Sequence, residues 1–148
     1  GPNVPAATAA CPWPAMSSAV LLVLAKEVAA LADVPAGPAR EAACGQPRRK
    51  CWEVLGSIQR SLRSLSGDAA LDGWQLEAAA EAKDCCDDFL AIFSELQRLD
   101  LQSSGSQWAA TEYALLVQET QLLRSRAACL IGEVASEADA VALVPTLK

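Results

Sequence analysis

Residues 107–134 read QWAATEYALLVQETQLLRSRAACLIGEV, and their period decides the fold. Ala109, Tyr113, Leu116, Thr120, Leu123, Ala127, Leu130 and Val134 recur at spacings that alternate between four and three residues. Such spacing holds one stripe of a 3.6-residue helix toward a core. No stretch of the chain alternates apolar and polar residues as a half-buried strand does, so the sequence is read as all-α.

Three further helices are expected upstream. KDCCDDFLAIFSEL, residues 83–96, lies in one that runs from about Asp72 or Trp74 to Leu99, with a seam of Ala79, Ala82, Cys86, Phe89, Phe93 and Leu96. Before it, a helix from Pro47 carries Cys51, Leu55, Ile58, Leu62 and Leu65 at four-three spacing, with SGD (66–68) as its stop and Gly67 as a left-handed cap. The earliest begins near Ala15 to Ser18 and ends at Asp33, where VPAGPA breaks it; a short helical turn over 39–45 is closed by Gly45. LQSSGSQ (101–107) is expected to be a loop. Helices joined by short links pack most simply as an up-down-up-down four-helix bundle. The expected organisation is an arm over residues 1–14 and one helical domain over 15–148, within the usual size of a single domain. Gly1-Pro2 reads as the remnant of a cleaved tag, and the chain as a fragment of a longer protein.

Charge suggests which helices are neighbours. Residues 40–63 hold six bases against Glu41 and Glu53, a net of +4, while residues 68–100 hold nine acids against Lys83 and Arg98, a net of −7. Folding the second helix on the third would bring Arg60 and Arg63 near Glu77 and Glu81. The four tryptophans, Trp13, Trp52, Trp74 and Trp108, fall near the four helix starts, and are expected to plug the two ends of the core.

The six cysteines are the main chemical question. Zinc sites use short, fixed gaps between converging ligands. Here Cys44 and Cys51 are seven apart, Cys85 and Cys86 are adjacent and so about 100° apart on a helix, Cys11 and Cys129 stand alone, and there is no histidine. No metal and no other cofactor is expected. Cys51 and Cys86 occupy seam positions, where a free thiol packs as a small hydrophobe. Reduced packing residues are therefore expected, with disulfides as the rival.

Without histidine the commonest general base is missing, as are the Ser–His and Cys–His pairs. Glu77, Glu81, Asp84 and Asp88 share one helical stripe and read as a solvated face. GPAREAACG lacks the spacing and the lysine of a phosphate loop. RSLRSLS (60–66) offers Ser61, Ser64 and Ser66 beside arginines, and reads as a polar helix face. The chain is expected not to be an enzyme. A net charge of −6 argues against nucleic acid or an anionic membrane as partner, and no apolar run reaches about 18 residues.

What remains is apolar surplus. Val20, Leu21, Leu22, Val23, Leu24, Val28 and Leu31 make the first helix apolar on almost every side, which is read as a wide core stripe or an enclosed position. Leu115, Leu122 and Cys129 lie one heptad apart beside the seam of the last helix. With Trp108 they form the expected contact surface for another protein, through its amphipathic helix or through a second copy of this chain. The expectation is a cytoplasmic or nuclear interaction or scaffold module. The alternative is a secreted, disulfide-stapled helical ligand of cytokine type.

Overall fold

The structure is a computed structural model that describes residues 13–65, 71–104 and 107–133, with side chains described except at 13–18, 104 and 107–109. Five helices follow one another: α1 (Trp13–Leu31), α2 (Pro38–Ala43), α3 (Gly45–Leu65), α4 (Gly73–Ser104) and α5 (Gln107–Leu130). Among the described residues there is no strand.

The four long helices form the bundle. Helix α1 packs on α3 and α4, and α5 packs on the same two. So α1 and α5 occupy opposite corners, while α3 and α4 touch across the middle. Successive long helices run antiparallel: Glu27 of α1 meets Lys50 of α3, Arg48 of α3 meets Asp100 of α4, and Asp87 of α4 meets Arg124 of α5. The up-down-up-down bundle is present, with α2 as a small addition against α3 and α4.

The expected seams are buried where their side chains are described, except that Leu130 is half-buried. On α5, Tyr113, Leu116, Thr120, Leu123 and Ala127 face inward; on α4, Ala79, Ala82, Cys86, Phe89, Phe93 and Leu96 do; on α3, Cys51, Leu55, Ile58, Leu62 and Leu65 do. Phe89 and Phe93 meet edge to face at 4.8 Å between ring centres, a geometry that suits the aromatic quadrupole.

Several boundaries differ from expectation, each for a local reason. Helix α1 begins at Trp13, two residues inside the expected arm, since Pro14 is tolerated in a first turn whose N–H groups have no helical partner. Gly45 starts α3 rather than closing a turn, because Cys44 keeps right-handed helical angles and the Arg48 N–H already reaches the Cys44 carbonyl. The stretch 101–104 continues α4 instead of opening a loop. Asp72 caps the start of α4, and its N–H is accepted by the Gln75 side chain, half of a capping box.

The real stop of α5 is Gly132, which the four-three pattern ran straight through. Gly132 has φ +78°, its N–H bonds the Cys129 carbonyl, and the Glu133 N–H bonds the Ala128 carbonyl. That pair of bonds is a Schellman cap, and it needs a left-handed residue at this position. Val134, Gly67, Ser66, Cys11, residues 1–12 of the expected arm and the side chains of Trp13 and Trp108 lie outside the described residues.

Helices α3 and α4 are neighbours as their charges suggested, and Arg48 pairs with Asp100, but Arg60 and Arg63 do not pair with Glu77 and Glu81. Arg60 bonds Ser57 of its own helix, and neither Arg60 nor Arg63 forms an ion pair with a described residue. Apolar contact set the neighbours, as exposed ion pairs contribute only about 0–1 kcal/mol each. The ion pairs that do form on these helices join α3 to the ends of α1 and α4, and α4 to α5.

Candidate functional site

Two kinds of side-chain cluster stand out: polar groups locked inside one end of the bundle, and apolar groups left outside.

The inner cluster gathers where α3 begins, α4 ends and α5 begins. Asp100 is fully buried, accepts a 2.7 Å hydrogen bond from the Tyr113 hydroxyl and pairs with Arg48 Nε at 3.1 Å. Cys44, also fully buried, bonds the same carboxylate. Arg40 of α2 donates to the Val34 carbonyl at 2.9 Å and to the Gln102 side chain at 3.3 Å, tying the end of α1 to the end of α4. A buried carboxylate is tolerable only when its charge is met, and here a guanidinium and a phenol meet it.

This cluster is not poised for nucleophilic work. Burial, then the negative charge of Asp100, pushes the Cys44 thiol up to about 11. Burial and the hydrogen bond to Asp100 push the Tyr113 phenol up as well. Burial pushes Cys51 and Cys86 up to about 12. A reactive cysteine needs the opposite, an electropositive and open setting that favours thiolate. All five described cysteines are free, with Cys44, Cys51, Cys85 and Cys86 buried and Cys129 half-buried. Cys85 is buried along with Cys86 because α4 packs on both α1 and α5, so its inward stripe is wider than the seam alone. No three Cys, Asp or Glu side chains among the described residues converge as a metal set.

The described tryptophans do not plug the ends. Trp52 is 36% exposed and donates its indole N–H to Glu112 of α5 at 2.9 Å; Trp74 is exposed to the same degree at the start of α4. Trp52 follows Cys51 by one residue, so the turn that buries the thiol swings the indole outward. Polar groups close that end instead.

Outside, the residues singled out on α5 sit as follows. Leu115 is 47% exposed and Leu122 41%, whereas Cys129 is only half-buried. Ser125 lies between the last two and is buried, its hydroxyl donating to the Gln121 carbonyl. The open part of the ridge therefore spans Leu115 to Leu122.

A second apolar surface lies on α1, whose apolar surplus was expected to be a wide core stripe or an enclosed position. Leu21, Leu24, Val28 and Leu31 fill the inward stripe, and Val20, Leu22 and Val23 are left 43%, 58% and 49% exposed. The helix is thus a corner of the bundle and not enclosed. Ala19, Val20 and Val23 line an open groove of about 300 Å³ with Lys50 and Glu53 of α3. Uniform apolarity gave no period from which to tell its faces apart.

No protein-family model, curated protein or solved structure matches this chain. Among the described residues no helix is long and apolar enough to cross a membrane.

Proposed function

We propose that this chain is a non-enzymatic interaction or scaffold module, a helical bundle that docks an amphipathic helix of another protein along α5 in an intracellular setting. One observation carries the reading. Leu115 and Leu122 are exposed beside a seam that Tyr113, Leu116, Leu123 and Ala127 already fill, so the bundle has no packing use for them. Seven residues separate them, about 10.5 Å along the helix, which matches the spacing of apolar anchors on a helical ligand. Trp108 and Cys129 hold the same heptad register of the sequence, seven residues before Leu115 and seven after Leu122.

The secreted, disulfide-stapled alternative rests on staples, and the five described cysteines are free thiols, which supports the intracellular reading over it. The inner polar cluster favours scaffold over catalyst, since its thiol and phenol are held protonated.

The test is the double change Leu115→Asp and Leu122→Asp. A protein captured by the wild type and identified by mass spectrometry should be lost from the variant, while the helical circular dichroism and the urea midpoint stay close to wild type. Capture that is unchanged in the folded variant would show that α5 is the wrong surface.

A further inference from the structure

The bundle leaves two opposite charges facing away from each other. On α3, Arg49, Glu53, Gly56, Arg60 and Arg63 fall on one outward stripe with a net charge of +2, and the three arginines are exposed with no ion pair to a described residue. On α4, Glu77, Glu81, Asp84 and Asp88 do the same with negative charge. The remaining described ion pairs engage other residues: Lys50, Arg48, Lys83, Arg98 and Arg124 are the bases used. All seven of the Arg49, Arg60, Arg63, Glu77, Glu81, Asp84 and Asp88 side chains are exposed, and no ion pair joins the two stripes within one chain.

We infer that the outward face of α3 in one copy docks on the outward face of α4 in a second copy, giving a charge-paired, head-to-tail association of this chain.

The two faces fit in sign. Arg49 to Arg63 spans fourteen residues, about 21 Å of helix, and Glu77 to Asp88 spans eleven, about 16.5 Å. Each stripe has a half-exposed indole at its side, Trp52 on α3 and Trp74 on α4, the kind of rigid anchor that concentrates binding energy. Opposition from the net charge of −6 on each copy acts at long range, and at physiological ionic strength it is screened beyond about 8 Å, which leaves the contact charges in control.

The symmetry follows from the placement. The donor face and the acceptor face are different surfaces on opposite sides of the bundle, so pairing them is heterologous and does not close at a dimer. This association uses neither Leu115 nor Leu122, and it stands or falls separately from the α5 reading.

Sedimentation of the whole chain tests it with two variants, Arg60→Glu with Arg63→Glu, and Glu81→Lys with Asp84→Lys. For the wild type at 0.15 M salt, the weight-average mass should rise with concentration above the 15.5 kDa of one chain and pass beyond two copies. Each variant alone should associate at least tenfold more weakly, with its circular dichroism unchanged. An equimolar mixture of the two should associate again, as each reversed face then finds its complement. The Leu115→Asp, Leu122→Asp variant should assemble as wild type does. A wild type that stays at one copy into the millimolar range, variants that assemble normally, or a mixture that stays dissociated would each overturn the inference.

Discussion

Helix α1 and the α4–α5 hairpin both draw heavily on Ala and Leu, yet they use them differently. Along α4 and α5 polar side chains interrupt the apolar ones every three or four residues, and nearly every seam residue is buried. Along α1 the apolar residues run together, so Leu21 and Leu24 go inside while Leu22 and Val23 stay out. A period tells a reader which side is inside; apolarity alone does not. The difference also locates stability in the hairpin, and leaves on α1 a surface whose loss the fold would scarcely notice.

The largest effect should come from the hairpin. Phe93 is fully buried and meets Phe89 edge to face, so Phe93→Ala should cost about 3–5 kcal/mol in urea unfolding. A cost below about 1 kcal/mol would mean that the core is not where the structure puts it.

Helix α1 gives a sharper contrast, because two leucines two residues apart have opposite fates. Leu24 is fully buried and Leu22 is 58% exposed. Leu24→Ala should destabilise by about 2–5 kcal/mol, whereas Leu22→Ala should stay within about 0.5 kcal/mol. Equal costs would show α1 enclosed, the reading that its composition first suggested.

A smaller effect belongs to the polar end. Tyr113→Phe removes the hydroxyl that donates to Asp100, and should cost about 1–3 kcal/mol by leaving that buried carboxylate one partner short. No loss at all would mean that the other partners of Asp100, Arg48 among them, meet its charge without the phenol.

These outcomes bear on what the residues disclose by themselves. The seams of α3, α4 and α5 were legible because burial on one side of a helix imposes a period that composition cannot hide. Helix ends were less so. Gly45 and Gly132 look alike in sequence, but one enters α3 with ordinary helical angles and the other takes φ +78°, a choice made by what the flanking turns can bond to. The charge blocks named the right neighbours through the wrong residues: α3 and α4 touch and Arg48 pairs with Asp100, whereas Arg60, Arg63, Glu77 and Glu81 stay exposed. Exposed charge is too weak to choose neighbours against a core. Leu115 and Leu122 stood out because they break from a seam that is otherwise complete; Val20, Leu22 and Val23 did not, because on α1 there was no seam to break from. The cluster of Cys44, Arg48, Asp100 and Tyr113 was invisible, since it joins three helices across 69 residues of sequence.

The account turns on an interior that is closed and reduced under an exterior left open, and the thiols report on both. Peptide-resolved alkylation at pH 8 reads each described cysteine, first in the folded protein and then in denaturant without reductant. Cys129 should react while the protein is folded. Cys44, Cys51, Cys85 and Cys86 should stay protected, as burial hides them and holds Cys44, Cys51 and Cys86 as thiols up to about 11 or 12, and all four should react once the chain unfolds. Rapid labelling of those four in the folded protein, or their failure to label in denaturant because they are joined as disulfides, would contradict it.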